Sequence, residues 1–186
     1  MLATDRVRRE PLRPFTRKEY DRLVEEGLFD DEKVELLYGL VVQMTPQGTG
    51  HSFALRKLTM LLAPALLGRA DVQLQLPFAA SEDSEPEPDL SVVPVGDYLD
   101  DHPGTAYLAI EVALSSLTKD RDVKSRLYAE ADIPEYWIVN LKESVVEVRT
   151  KPSKGRYRSL RRFKKGQSIT LTAFDDVTIA VRDFLP

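Results

Sequence analysis

The chain has no cysteine, one tryptophan and two histidines in 186 residues. Without cysteine there is no disulfide, no thiolate nucleophile and no thiolate-bound zinc, so any catalysis must come from carboxylates, lysine, histidine, serine or tyrosine. A metal site would have to be rich in oxygen, with His51 and His102 as the only imidazoles. Long apolar runs are missing too. No stretch approaches the roughly 18 residues of a membrane span, and the first ten residues lack the apolar core of a secretory signal. A soluble, cytoplasmic protein without a membrane partner is the expectation.

What the chain does have is charge, at 30% of residues against 42% apolar, with a net charge of −4. This length and balance fit a single domain over residues 1–186, in which residues 1–14, polar and holding Pro11 and Pro14, form an N-terminal arm. The negative net charge argues against a general polyanion binder, although a nucleic acid responds to local field rather than to the sum. From Arg149 to Lys165 there are nine Lys or Arg and no acid. Such a stretch either tracks a phosphate backbone or forms the solvated face of an outer hairpin, whose edge it protects.

Local patterns outline the elements. Thr16 followed by Glu19 is a capping signature and predicts a helix over 17–26, stopped by Gly27. Short apolar runs on either side of Tyr38-Gly39 predict paired strands, with Glu35 on the first, where an acid is out of place. Leu55, Leu58, Leu62 and Leu66 recur at helical spacing after His51, and Pro64 should kink or break the last turn. Alternation over 72–78 predicts a strand, and the acidic, proline-bearing 81–88 a loop. Apolar strands follow at 89–93 and 107–113, a helix at 120–131 and a strand at 136–139. A β-meander over 145–149, 157–163, 169–173 and 177–181 completes the chain. This order implies an α+β fold with a mixed sheet.

Two acids stand inside the apolar strands. Asp89 and Glu111 would be costly there as ions unless paired, hydrogen-bonded or bound to a cation. With a main-chain carbonyl such as that of Val112, they make a hard oxygen site suited to Mg2+ or Mn2+, which can polarise a phosphoryl oxygen and acidify a bound water. The competing structural reading has Asp89 capping a turn after Pro88 and Glu111 paired with Lys124 or an arginine. Lys124 lies one helical turn before Tyr128, where its amine can orient water or neutralise a pentavalent phosphate, or else simply face solvent. Glu35 can complete a metal shell and His51 can act as base or phosphate contact, each against a plain structural role. His102, between Asp101 and Pro103, reads as a loop residue outside the site.

Taken in order, Val34-Glu35-Leu36-Leu37-Tyr38-Gly39, His51, Pro88-Asp89-Leu90-Ser91-Val92, Ile110-Glu111-Val112-Ala113-Leu114-Ser115, Lys124, Tyr128 and Glu135-Tyr136-Trp137-Ile138-Val139 resemble the Uma2 family, also called DUF820. The resemblance spans about Phe15 to Phe184. It implies a restriction-endonuclease-like αβββαβ core of the PD-(D/E)XK nuclease superfamily, with Pro88-Asp89 as the PD element and Glu111 as the second acid. One departure matters: two positions after Glu111 stands Ala113, not lysine. The resemblance implies that Lys124, on the following helix, takes that lysine's place. A lesser departure is Asn140, where the family pattern often has an acid.

Three functions compete. The first is a Mg2+- or Mn2+-dependent DNA endonuclease, for which a homodimer would supply the two sites that cutting both strands needs. The second is a nucleic-acid-binding or regulatory module that keeps the fold without turnover, and the third is a structural or interaction protein whose acids and lysine form only buried ion pairs.

Overall fold

A computed structural model of the protein describes residues 12–186. The expected arm therefore lies, through residue 11, outside the described residues. Helix α1 (Arg17–Glu25) starts at Thr16, whose hydroxyl accepts from the Glu19 N–H while the Glu19 carboxylate accepts from the Thr16 N–H. This reciprocal cap is the one the sequence predicts. A hairpin of β1 (Val34–Leu37) and β2 (Leu40–Gln43) follows. Its turn needs glycine at position 39, where φ is +74° and a Cβ would lie 2.1 Å from the Pro14 Cβ.

The centre is a six-stranded sheet in the order β3 (Asp71–Leu74), β4 (Leu90–Val93), β5 (Leu108–Ala113), β6 (Glu135–Asn140), β7 (Val145–Ser153), β8 (Arg156–Phe163). All neighbours are antiparallel except β5 and β6. A parallel pair needs a crossover. It is made by α3 (Leu117–Lys119), a π-helical segment (Asp120–Lys124) and α4 (Ser125–Glu130).

Strands β4, β5 and β6 are buried along their whole length, as expected of strands covered on both faces. On one face, helix α2 (Thr49–Leu66) lays Leu55, Leu58, Leu62 and Leu66 against Ile110, Val112 and Trp137. Each such leucine is worth about 1.5–3 kcal/mol of burial. Pro64 falls in the last turn of α2 without ending it before Leu66. On the other face, Leu127 and Tyr128 of α4 pack on Ala109, Ala113 and Ile138.

The order α2, β3, β4, β5, crossover helix, β6 is the expected αβββαβ core within an α+β fold. The C-terminal strands depart from a continuous meander. Strands β9 (Ser168–Leu171) and β10 (Phe174–Ala180) form their own two-stranded sheet, whose Ile169, Leu171, Val177 and Ile179 join the α2 side of the core. Among the described residues, no helix is long and apolar enough to cross a membrane.

Candidate active site

A cleft of about 240 Å³ opens at the end of β5, between the segment 44–51 and the crossover helix. His51, Asp89, Glu111, Val112, Lys119, Asp120 and Lys124 all line it. Pairing of β4 with β5 ends at Leu90–Ile110, so the N–H of Val112 has no strand partner on that side. Asp89 fills the gap, its Oδ2 accepting from the Val112 N–H at 2.7 Å. In a strand a residue's N–H and C=O face the same side, so the Val112 carbonyl faces the edge where Asp89 sits. Nε2 of His51, in the first turn of α2, lies 2.9 Å from the same Asp89 oxygen, while the buried Nδ1 has no partner among the described residues.

Glu111 points to the opposite face from Val112 and meets the crossover helix. Its Oε1 receives the Lys124 amine at 2.7 Å and the Tyr128 hydroxyl at 2.8 Å. Lys124, 2% exposed, also sits 2.9 Å from Glu35 Oε2 and 3.4 Å from the Glu87 carbonyl. Its donors are thus taken up by protein acceptors. Glu35 is fully buried, does not line the cleft, and is held from the other side by Lys119 at 2.8 Å. His102 lies apart, near Glu85 at 3.7 Å.

Lys119 escapes a sequence reading that assumes α-helical spacing. It lies five residues before Lys124, which puts the two on different faces of an α-helix. In the π-helical segment the Ser125 N–H returns five residues to the Asp120 carbonyl. That wider turn brings positions i and i+5 together, so both amines reach Glu35. The same turn carries Asp120, buried and bonded to the Ser116 hydroxyl at 2.7 Å. No periodicity in the sequence announces a π turn.

The charges do not balance. Glu35, Asp89, Glu111 and Asp120 face two lysines. Burial pushes the Glu111 carboxyl well above the usual range, with Lys124 opposing and Asp89 and Asp120 adding to the rise. Burial also raises Asp120. Burial opposes ionisation of Glu35, yet Lys124 and Lys119 outweigh it and hold its pKa low. Desolvation likewise works against the Lys124 charge, but Glu111 and Glu35 keep it firmly protonated.

No set of three His, Cys, Asp or Glu side chains converges as a metal cluster among the described residues. The donor set of the cleft is instead two carboxylates and a main-chain carbonyl. Asp89 Oδ1 and Glu111 Oε2 take no hydrogen bond from the described residues, and both side chains line the cleft. Two such oxygens in a field of excess negative charge fit a hard divalent cation.

This core and cleft have the form of a restriction-endonuclease-like nuclease. A family model named Uma2 and described as "Putative restriction endonuclease" matches residues 17–182, and the chain belongs to that family. Among solved structures it is similar to a protein from Anabaena variabilis ATCC 29413, titled as a putative nuclease belonging to DUF820. The TM-score is 0.73 at 19% identity, over 92% of this chain and 98% of that one. At that identity the likeness is one of fold. Among curated proteins, none matches.

Proposed function

We propose that the protein is a divalent-metal-dependent nuclease that hydrolyses DNA phosphodiester bonds at this cleft. The observation that carries the reading is the excess of buried carboxylates over lysines, with one oxygen each of Asp89 and Glu111 left for a cation. Asp89, Glu111 and the Val112 carbonyl would hold Mg2+ or Mn2+. When bound, such an ion supplies Lewis-acid polarisation of a phosphoryl oxygen and a water more acidic than bulk.

The protein's own groups divide the remaining work. His51 fixes the Asp89 carboxylate, and a main-chain N–H locks the same oxygen. Lys124 and Tyr128 fix Glu111 and aim its other oxygen at the cleft. Lys124 is therefore a positioning residue and not, as the resemblance suggests, the group that meets phosphate. Lys119, 24% exposed and bound only through Glu35, keeps donors for the developing phosphorane charge.

Labelled DNA incubated with Mg2+ or Mn2+ tests this. Wild type should cleave, while Asp89→Asn and Glu111→Gln should abolish cleavage. Lys119→Met should slow it by about a hundredfold, the usual loss for one charge-stabilising donor. No cleavage by the folded wild type in either metal rejects the proposal. A second reading, a module that binds nucleic acid without cutting it, draws support from Ala113 and from the full engagement of Lys124.

A further inference from the structure

On the far side of the crossover helix lies a second opening, of about 550 Å³, between the π-helical segment with α4 and the tip of the β7–β8 hairpin. Five cations line it, Arg121, Arg126, Arg149, Lys154 and Arg156, against Asp122 as the one lining acid. Beneath them Glu147 is buried and shared by Arg121, Arg149 and Arg162. One carboxylate divided among three guanidinium groups leaves the surplus positive. Arg126 meets Glu130 at 2.8 Å near the surface. Lys154 and Arg156 are exposed and make no ion pair with the described residues. The buried Arg149 Nε has no acceptor among the described residues.

We infer that this groove binds the backbone phosphates of a nucleic-acid strand, away from the cleft that holds the metal-ligating acids. The choice of nucleic acid rests on the proposed function. The cations are too many for one small anion, and the charge continues along β8 through the exposed Arg158 and Arg161. Position agrees with a polyanion that reaches both sites. Lys119, Asp120 and Lys124 line the cleft while Arg121, Asp122 and Ser125 line the groove, so one helical segment is a wall of each. Contacts to phosphate hold and orient a strand without reading its sequence.

Anisotropy of a labelled DNA duplex and of its single strand, in EDTA and over a salt series, tests the groove. Two double variants are compared with wild type: Lys154→Gln with Arg156→Gln in the groove, and Lys164→Gln with Lys165→Gln beyond the end of β8. Each pair removes the same charge. The groove variant should bind about tenfold more weakly, with the slope of log affinity against log salt reduced by about 2, and the other should match wild type. Equal weakening by both pairs, no weakening by either, or a wild type that fails to bind at low salt overturns the inference. So does stabilisation by inorganic phosphate without DNA binding, which would mark a small-anion site. A wild type that binds through the groove but never cuts sinks the nuclease reading alone. A wild type that cuts, beside a groove variant that binds and cuts unchanged, sinks the groove alone.

Discussion

Lys124→Met and Lys119→Met remove the same charge from neighbouring turns, and the structure assigns them opposite consequences. Methionine keeps most of the apolar stem of Lys124, so packing is nearly preserved and the loss is electrostatic. Without that amine, Glu111 keeps only the Tyr128 hydroxyl, and Glu35 keeps Lys119. Breaking a buried pair by deleting one partner costs about 3–5 kcal/mol, because the other charge stays buried. Lys124 serves two carboxylates at 2.7 and 2.9 Å, and Lys119 still covers one of them, so the middle of that range, about 4 kcal/mol, is expected. Lys119→Met leaves Glu35 with Lys124 and removes a partly exposed pair, worth about 1 kcal/mol or less. Urea unfolding of the three proteins without metal reads the difference, and cleavage assays read the converse. Lys119→Met should lose rate while staying folded. A Lys119→Met protein less stable than Lys124→Met, or a Lys124→Met protein as stable as wild type, would refute this division of labour.

Other consequences are equally open to measurement. Burial, aided by Asp21 and opposed by Arg17, pushes the Glu85 carboxyl from 4.5 up to about 7. The folded state keeps that proton where the unfolded chain has lost it, so stability falls as pH rises through this window. Glu85→Gln should gain on wild type by about 2.5 kcal/mol between pH 5 and pH 8 in urea melts, and a pH-independent offset rejects it. Glu135 accepts from the Trp137 indole at 2.7 Å and the Thr172 N–H at 2.6 Å, tying the β9–β10 sheet to the core. Glu135→Ala strands both donors and should cost about 3 kcal/mol in urea; a loss below about 1 kcal/mol would mean that water replaces the carboxylate.

Much of this architecture was legible because burial leaves a period in the sequence. The leucines of α2 and the unbroken apolar runs of β4, β5 and β6 announce elements covered by neighbours, and Thr16 with Glu19 announces a helix start. Glu35, Asp89 and Glu111 stood out as acids where apolar residues belong. Strand partnership was less legible. Alternation over 169–181 says that one face is buried but not which edge it joins, and β9 and β10 pair only with each other. β7 also runs on past Arg149, through Lys151 at φ +61°, to Ser153. Lys119 and Asp120 were hidden because a π turn follows from how the crossover packs on the sheet, not from residue spacing. The full engagement of Lys124 is likewise a property of three elements meeting, with Glu35, Glu87 and Glu111 each from a different one.

The central claim is that Asp89 and Glu111 hold a divalent cation, and Mn2+ binding followed by electron paramagnetic resonance tests it apart from any substrate. Wild type should quench the free-ion signal and release the ion to excess Mg2+. Asp89→Asn and Glu111→Gln, shown to be folded by their urea transitions, should each weaken binding by at least about tenfold. A wild type that leaves the free Mn2+ signal untouched, or an Asp89→Asn protein that binds as tightly as wild type, would contradict the account.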